Sequence, residues 1–366
     1  MGEKRYEQTT FDMSKEKPKV DLKNYFCEHP FKYSEFHRKW DNPLNPEETQ
    51  FLCCPDWNDI NIRVSDDLME NWYSDAAVSV RKGHLSGDFK GCNENSCPAL
   101  NTLMNTGKPA GNIKHISEWD PEKYNNHGPE RVKICSDDSC NLKCPTCREE
   151  LRPNTPEKTT RTGKLLNAIT RDYGPTLKQV YTSGGGDPFY STPMRIFLQN
   201  IDSNNFPSLE DVLLHTNGIL FTPKIWEKMK NIHPHVKLVE ISIDAATKDT
   251  YENKTRLGGK WDVLMENLEF IKTIETIRVV MLDFVVQKAN FREMEDFVLM
   301  GLRIFGDSKF QLQINFQKVW PWPSIKPEVY KDMCVWDKDH EDYNEFVTEV
   351  KKLNQYSIVL HNLNEH

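Results

Sequence analysis

The chain has 366 residues, a formal net charge of −8 and ten cysteines. This length is enough to bury at least one large core and is typical of two domains. The acidic balance argues against a protein held to nucleic acid by bulk charge. The charged stretch from Met1 to Lys19 lacks the apolar core of a signal peptide, and no later window is apolar enough to cross a bilayer. We therefore expect a cytoplasmic protein without a membrane partner.

Residues 1–130 have many Trp, Asn, Gly and Pro residues and few long periodic stretches. We interpret residues 1–25 as a polar extension and residues 26–130 as a small, loop-rich domain. A domain with a thin core often needs a metal to hold it together, and clustered cysteines in a reducing compartment more often bind metal than form disulfides. Half of the cysteines lie here: Cys27, Cys53, Cys54, Cys92 and Cys97.

From Arg131 onward, short β-rich runs alternate with amphipathic stretches, which is typical of βα units and a parallel sheet. The predicted strands are 132–135, 179–182, 212–215, 238–243, 277–286 and 310–317. In the helix predicted over 261–274, one face carries Val263, Leu264, Leu268 and Ile271. Six such units favour an α/β fold, a partial (β/α)6 barrel over 131–320, with functional residues at the carboxyl ends of its strands. A connector and a helix over about 339–353 complete residues 321–366.

The loop after the first predicted strand carries Cys140, Cys144 and Cys147 in the pattern C-x3-C-x2-C. Three thiolates can each bind one corner of a [4Fe–4S] cluster, which leaves the fourth iron without a protein ligand. An open coordination position is what a metal needs to bind a substrate or cosubstrate. A zinc site would need a second Cys or His pair nearby, and a redox pair alone would leave Cys140 without a role.

This cysteine pattern resembles the defining motif of the radical S-adenosylmethionine (SAM) superfamily. The resemblance implies that the open iron of the [4Fe–4S] cluster binds the amino and carboxylate groups of SAM. It also implies an enzyme that cleaves SAM reductively to a 5′-deoxyadenosyl radical, which abstracts hydrogen from a substrate. A flavodoxin or ferredoxin would supply the electron. The radical chemistry belongs to the cofactor, while the protein orients and shields it.

Several later strand ends resemble segments that contact SAM in this superfamily. Ser183 to Pro188 resembles the GGEP motif, with Asp187 in place of the usual glutamate, and implies contact with the SAM amino group through Asp187 or the backbone of Gly185 and Gly186. The other matches are weaker singly, because Asn-Gly turns and helix-capping Asp residues are common. They are Asn217, Ser242, Asp244, Arg256, Gln287 and Asn290. Their order along successive strands favours a SAM-binding role for the set.

The N-terminal cysteines resemble, in their order, the SPASM or twitch modules that hold auxiliary iron–sulfur clusters in radical SAM enzymes. Family members usually carry this module after the barrel, whereas here it precedes the barrel. The resemblance implies a second, auxiliary [4Fe–4S] cluster, and a structural zinc site is the alternative. Its ligands would be Cys27, Cys92, Cys97 and one of Cys53 and Cys54. We interpret Cys135 as a buried strand thiol, Cys334 as inert and His29 as a structural histidine.

The sequence leaves the substrate open. The resemblance implies a peptide or a small molecule such as a sugar or nucleotide. Six side chains near predicted strand ends are candidates for its pocket, with surface or packing roles as the alternative: Asp137, Asp138, Tyr190, Gln313, Asn315 and Trp320. A radical SAM methyltransferase or sulfur-inserting enzyme is the alternative within the superfamily. A non-catalytic zinc-binding scaffold is the alternative outside it.

Overall fold

The computed structural model describes residues 18–38, 48–124, 128–182, 185–322 and 324–363. Most of the expected polar extension, and Ser183 and Gly184 of the glycine-rich motif, lie outside these ranges. The chain divides into two compact units. Unit 1 comprises 1–136, 167–180 and 203–209, and unit 2 comprises 137–166, 181–202 and 210–366. The domain boundaries expected from the sequence stay predictions.

None of the helices in the described ranges combines the length and the hydropathy that a membrane span requires.

Unit 1 contains a two-stranded ribbon and a mixed sheet. Its strands are β1 (Tyr25–Cys27), β2 (Tyr33–Arg38), β3 (Glu48–Phe51), β4 (Asn61–Arg63), β5 (Ile113–His115) and β6 (Arg131–Cys135). β1 pairs with β5 antiparallel, whereas β6 pairs with β2 in parallel and β3 joins β2 to β4 antiparallel. The first strand of the predicted barrel thus has a parallel neighbour from the N-terminal 130 residues, which their irregular composition did not indicate.

Unit 1 also contains short helices. They are α1 (His29–Lys32), α2 (Leu68–Trp72), α3 (Asp75–Ser86), α4 (Pro98–Thr106) and α5 (Pro121–Tyr124). Asp67 accepts from two backbone N–H groups at the start of α2, and Ser74 accepts from Ala77 N–H in α3. α3 ends at Gly87, whose φ of 80° favours glycine. The segment between Gly87 and α4 carries Cys92 and Cys97.

Unit 2 contains the parallel sheet, and the boundary between the units passes through α6 (Pro156–Ala168) and β7 (Gln179–Thr182). The later strands are β8 (Asp211–Thr216), β9 (Val236–Ser242), β10 (Val279–Val286), β11 (Gln311–Lys318) and β12 (Val359–His361). They follow one another in spatial order after β7, and from β8 onward neighbours pair in parallel. The α/β class is confirmed, and each predicted strand is present to within two residues at either end.

The helices of unit 2 are α7 (Thr192–Asn200), α8 (Pro223–Glu227), α9 (Lys248–Thr250), α10 (Trp261–Ile271), α11 (Met294–Phe305), α12 (Pro327–Met333) and α13 (Tyr343–Leu353). The prediction that Val263 belongs to the buried face of α10 is wrong, because Val263 is 37% exposed. Asn267 is buried instead, since its side-chain amide donates to the carbonyls of Gly218 and Ile219. A polar side chain can be buried when its donors are used.

Side chains alternate between the two faces of the unit 2 sheet. On β10, one face carries fully buried apolar residues: Val280, Leu282, Phe284 and Val286. The opposite face carries Asp283, which stands in register with Ser242 of β9 and Asn315 of β11. Glu240 and His215 are likewise paired across β9 and β8. We call this second side the polar face.

Candidate active site

The loop that carries Cys140, Cys144 and Cys147 is closed by backbone hydrogen bonds within unit 2. Cys140 N donates to Arg152 O at 2.9 Å, and Cys147 N donates to Cys144 O at 2.9 Å. A further bond joins Lys143 N to a carbonyl in the segment before α10. Cys140 and Cys144 are buried, and Cys147 is partly exposed. The three thiols are therefore held by the protein backbone itself.

Each of the three sulfur atoms accepts a hydrogen bond from a nitrogen donor. Burial raises the pKa of the Cys140 thiol to about 12 and also raises the pKa of Cys144. Because the thiolate is the metal ligand, nearby positive charge and N–H donors offset this effect. The three thiols and the N–H groups that donate to them therefore fit an iron–sulfur cluster bound by thiolates. The pairs are Leu142 N and Cys140 Sγ at 3.4 Å, Arg256 Nη1 and Cys144 Sγ at 3.6 Å, and Arg148 Nη2 and Cys147 Sγ at 3.1 Å.

The glycine-rich segment packs directly on the start of the cysteine loop. A Cβ atom on Gly186 would lie 2.5 Å from Ser139 O and 2.7 Å from Asp137 O, so only glycine fits there. Asp187 N donates to Ser139 O at 2.9 Å. The backbone of this motif thus lies close to the cysteine loop, and its contact with SAM stays a prediction.

The carboxylate of Asp187 is buried and used by the protein. Its Oδ2 accepts from the Thr216 hydroxyl at 2.7 Å and from Asn217 N at 2.9 Å. Its Oδ1 accepts from the backbone N–H groups of Phe189 and Tyr190 at 3.0 and 3.1 Å. Burial raises the pKa of Asp187, and these four bonds oppose that shift. Asp187 thus joins the segments that follow β7 and β8, and its contact with SAM stays a prediction.

Asn217 connects the end of β8 to the cysteine loop. Its Nδ2 lies 2.9 Å from Asn141 Oδ1 and 3.7 Å from Cys140 Sγ. The next residue, Gly218, has a φ of 78°, so the segment is also a turn that favours glycine. Asn217 and Gly218 therefore form the Asn-Gly turn, and the side chain of Asn217 also contacts the cysteine loop.

Asp244 and Arg256 form a buried ion pair that reaches the cysteine loop. Arg256 Nη2 lies 2.7 Å from Asp244 Oδ2, and Nη1 of the same guanidinium faces Cys144. Asp244 has a φ of 60°, a left-handed conformation in which Asp is enriched. A π-helical turn precedes Arg256, whose N–H donates to Tyr251 O at 2.8 Å. Such turns often occur at functional sites.

Gln287 and Asn290 extend this network from the end of β10. Asn290 Nδ2 donates to Asp244 O at 2.9 Å, and Asn290 Oδ1 accepts from Gln287 N at 2.8 Å. Gln287 Nε2 is buried and has no hydrogen-bond partner among the described residues, so it can donate to a ligand. Ser242 does not join this network, because its hydroxyl lies 2.8 Å from His215 Nε2 on the polar face. SAM contact by these residues stays a prediction.

Arg148 is a site residue that no sequence motif singled out. Besides Cys147 Sγ, its guanidinium donates to Asp138 O at 3.0 Å and to Gly185 O. It thereby connects the glycine-rich segment to the cysteine loop. Its position directly after the third cysteine is the signal that could have found it, because a cation beside a thiolate stabilises the charge.

A separate cavity in unit 1 is lined by four of the N-terminal cysteines. It measures about 380 Å³ when counted to its opening. Cys54 is absent from the described residues that line it, and its thiol instead lies 4.0 Å from Asp56 Oδ2 and near Glu35. The structure thus separates the two consecutive cysteines that the sequence left equivalent. The lining thiols are those of Cys27, Cys53, Cys92 and Cys97.

Two buried histidines also line this cavity. Burial lowers the pKa of His29 to about 3 and that of His84 to about 4, so both are neutral at pH 7. His29 Nδ1 is hydrogen-bonded to Asn112 at 2.9 Å, and His84 Nε2 lies 3.5 Å from Cys92 Sγ. The bond to Asn112 supports the structural role expected for His29.

The remaining two cysteines are buried. Cys135 lies in β6, and the thiol of Cys334 donates to Tyr330 O at 3.1 Å.

The family described as the radical SAM superfamily matches residues 137–300. The chain is 26% identical over 182 residues to a GTP 3′,8-cyclase of Clostridium perfringens (strain SM101), which covers 49% of this chain and 54% of that protein. It is 27% identical over 178 residues to a GTP 3′,8-cyclase of Petrotoga mobilis, covering 46% and 50%. The chain therefore spans about half the length of the curated relatives it matches.

Two solved structures with bound SAM are similar at low scores. Streptococcus suis SuiB aligns at a TM-score of 0.43 and 14% identity, covering 94% of this chain and 73% of that chain. The protein anSMEcpe aligns at 0.43 and 18% identity, covering 64% of each chain. At these scores the likeness adds no argument. The family match over residues 137–300 and the curated relatives support a radical SAM superfamily enzyme.

Proposed function

We propose that this radical SAM enzyme binds a [4Fe–4S] cluster through Cys140, Cys144 and Cys147 and cleaves SAM reductively. The observation that carries this proposal is the hydrogen-bonded set of three sulfur atoms, two of which accept from the guanidinium groups of Arg148 and Arg256. When bound, the cluster supplies the electron that converts SAM to methionine and a 5′-deoxyadenosyl radical, which abstracts hydrogen from the substrate.

The chain's own residues would hold and orient SAM. Gln287 Nε2 offers a buried donor, and the Arg256 guanidinium beside Cys144 supplies positive charge for the SAM carboxylate. The backbone at Gly186 is the candidate for contact with the SAM amino group. Leu142 and Ile219 pack against the cysteines and exclude water from the thiols. Exclusion of water strengthens electrostatic contacts in the site and protects a radical from side reactions.

The spacing of the cysteine sulfur atoms favours clusters over single zinc ions. Four thiolates on one zinc ion, at about 2.3 Å from it, would stand only about 3.8 Å apart. In the described part of the chain, the groups of three or more potential ligand atoms within 4.8 Å of one another include neither cysteine set. No three thiols of either set therefore lie within 4.8 Å of one another, which argues against the zinc-binding scaffold.

We also propose that unit 1 holds the auxiliary [4Fe–4S] cluster. The four thiols that line its cavity would complete the coordination of a cubane cluster, which suits a closed site. Burial raises the pKa of the Cys97 thiol, and the nearby backbone N–H groups of Ala99 and Leu100, at the start of α4, oppose that shift. Such donors at a helix N-terminus stabilise a thiolate. Cys53, not Cys54, is the fourth ligand in this proposal.

The similarity to GTP 3′,8-cyclases extends over about half of the chain, so it supports SAM radical chemistry and leaves the substrate open. A nucleotide, a sugar and a peptide are the candidate substrates, and a flavodoxin or ferredoxin is the candidate reductant. A methyltransferase or sulfur-inserting activity would differ in its products. It would give a methylated or sulfur-containing product in place of a dehydrogenated or rearranged one.

The test is an anaerobic assay of the reconstituted protein. Iron and sulfide are counted, and 5′-deoxyadenosine is measured by mass spectrometry after incubation with dithionite and SAM. We expect about eight iron atoms per chain, as two [4Fe–4S] clusters require, and 5′-deoxyadenosine only when both reagents are present. Bound iron without 5′-deoxyadenosine would refute SAM cleavage. Four iron atoms per chain with full cleavage would refute the auxiliary cluster.

A further inference from the structure

Three side chains with metal-binding atoms converge on the polar face of unit 2. One ring nitrogen of His215 and one carboxylate oxygen each from Glu240 and Asp283 lie within 4.8 Å of one another. They come from β8, β9 and β10, whose parallel register places them in adjacent rows. Neither the cysteine loop nor the predicted SAM network uses these three residues. The group therefore needs an explanation of its own.

Each member of the group is oriented by a further side chain. Ser242 Oγ lies 2.8 Å from His215 Nε2, Asn315 Nδ2 donates to Asp283 Oδ1 at 2.9 Å, and the Tyr181 hydroxyl donates to Glu240 Oε2. His215 Nδ1 lies 3.9 Å from Glu240 Oε2, and Nε2 lies 3.7 Å from Asp283 Oδ2. Hydrogen bonds of this kind typically orient the ligands of metal sites and set their basicity.

Within the described residues, one oxygen atom of the Asp283 carboxyl group lacks a hydrogen-bond donor. Asp283 is 1% exposed, and its Oδ2 accepts no hydrogen bond from the described residues. Burial and the neighbouring charge of Glu240 raise the pKa of Asp283 well above its usual range. Arg256 is already paired with Asp244 at 2.7 Å. Two adjacent carboxyl groups in a buried place are costly unless a cation or a proton lies between them.

A second group with similar spacing, in unit 1, shows how the protein compensates such charge with its own side chains. Glu35, His37 and Cys135 also place ligand atoms within 4.8 Å of one another. There, Lys133 Nζ lies 3.0 Å from Glu35 Oε1, and the Tyr33 hydroxyl donates to Glu35 at 2.6 Å. A lysine ammonium already occupies the place of an ion in this group, so no metal is needed.

We propose that His215, Glu240 and Asp283 bind one divalent metal ion through nitrogen and oxygen atoms. Imidazole and carboxylate ligands suit Mn²⁺, Fe²⁺ or Zn²⁺. The side chains of His215 and Glu240 are 27% and 17% exposed, so the ion keeps coordination positions for another ligand. The strands that carry the three ligands end at the predicted SAM network. The ion would therefore hold an oxygen atom of the substrate close to SAM, and this role, unlike ion binding itself, rests on the proposed function.

The test uses the oxidised holoenzyme under anaerobic conditions. MnCl2 is added in steps, and free Mn²⁺ is measured by its six-line electron paramagnetic resonance signal at room temperature. Mn²⁺ prefers oxygen and nitrogen ligands to thiolates, so the cysteine sites do not compete for it. We expect about one bound Mn²⁺ per chain and a loss of affinity of at least about tenfold in Asp283→Asn and His215→Gln, because each removes a ligand.

Asp262→Asn is the matched control for the loss of one negative charge in unit 2. Asp262 is an exposed carboxylate paired with Lys248, and we expect this variant to bind Mn²⁺ like the wild type. If Asp283→Asn lowers the iron content or the thermal stability, Tyr181→Phe replaces it. This variant keeps all three ligands and removes the hydroxyl that donates to Glu240. Its affinity should fall by about tenfold.

Absence of Mn²⁺ binding in the wild type, or equal affinity in the ligand variants and the control, would overturn the proposed ion site. Formation of 5′-deoxyadenosine is measured in the same samples. If Mn²⁺ does not bind but SAM cleavage is intact, the proposed ion site is refuted and the proposed function is not. Retained Mn²⁺ binding without SAM cleavage refutes the proposed function alone.

Discussion

The two cysteine sites differ in the groups that surround their sulfur atoms. In unit 2, two of the three thiols accept from the charged guanidinium groups of Arg148 and Arg256. In unit 1, Cys92 accepts from the side-chain amide of Asn58 at 3.4 Å and faces His84, which burial keeps neutral. Under the proposed function, three thiolates with two cations would form an open site, and four thiolates with neutral neighbours would form a closed one.

This difference bears on the redox behaviour of the two sites. Positive charge and N–H donors near the sulfur atoms stabilise the reduced, more negative state of a cluster, and an additional thiolate has the opposite effect. We therefore expect the unit 2 cluster to accept an electron at a less negative potential than the auxiliary cluster. Under the proposed function, the site that would pass an electron to SAM is the one whose surroundings favour its reduction.

Replacement of one cysteine of the unit 2 site should have the largest effect on iron content and SAM cleavage. In Cys144→Ser we expect about four of the eight iron atoms to be lost and SAM cleavage to fall below detection, because the catalytic cluster loses a ligand. Iron analysis and 5′-deoxyadenosine formation measure both. Cys334→Ser, a change at a buried thiol elsewhere in unit 2, is the control and should leave both values unchanged. Normal SAM cleavage in Cys144→Ser would contradict the assignment of the open site.

The consecutive cysteines of unit 1 provide a second test. We expect Cys53→Ser to lose about four iron atoms and Cys54→Ser to keep all eight, because only Cys53 lines the cavity. Iron counting after identical reconstitution distinguishes the variants, each of which carries the same chemical change. The opposite pattern would show that Cys54 is the ligand.

Gly186→Ala should damage unit 2 through the backbone. Its added methyl group would meet two carbonyl oxygens at 2.5 and 2.7 Å, so the cysteine loop must shift. We expect a loss of roughly 2 kcal/mol in the free energy of unfolding and reduced SAM cleavage. Gly163→Ala in α6 is the control, because a methyl group there meets nothing within 4 Å. It should raise stability by about 0.5–1 kcal/mol. Equal effects of the two changes would exclude the close contact.

We expect acid to lower the stability of unit 1 because it protonates Glu35. Burial alone would raise its pKa, but His37, Lys133 and Tyr33 outweigh burial and lower the pKa to about 2. The folded chain thus binds this proton less tightly than the unfolded chain. The stabilisation is complete above pH 4.5 and is lost as the pH falls toward 2. It amounts to about 3 kcal/mol at pH 7.

The variant Glu35→Gln isolates this contribution. Urea unfolding of the wild type and the variant should differ most at pH 7, and the difference should shrink on acidification. Glu122→Gln, at an exposed carboxylate of unit 1, should show no such convergence. A constant difference between wild type and Glu35→Gln at all pH values would contradict the lowered pKa.

The sequence identified the strands and the three-cysteine loop because both depend on local pattern. Alternating apolar runs mark strands, and the spacing from Cys140 to Cys147 lies within one loop. The parallel pairing of β2 with β6 was not predictable in this way, because it joins residues about one hundred positions apart. The sequence left the choice between Cys53 and Cys54 open for a related reason, since it depends on which side of an irregular segment faces the cavity.

The sequence analysis did not bring together three polar residues of the unit 2 sheet, although each is unusual in its own strand. His215, Glu240 and Asp283 each stand among apolar residues within a strand, and a polar residue in a buried strand is unusual. Their proximity depends on the register of three strands, which no single stretch of sequence contains. Asn267 on α10 likewise took a buried place that an apolar pattern had assigned to Val263.

The contact of Gly186 with the carbonyl groups of Asp137 and Ser139 has a consequence for maturation of the enzyme. The segment after β7 fixes the start of the cysteine loop through protein contacts alone, so the three thiols take their positions as the chain folds. An iron–sulfur donor would then meet a finished binding site. A cluster destroyed by oxygen could be replaced in the folded protein, without a cycle of unfolding and refolding.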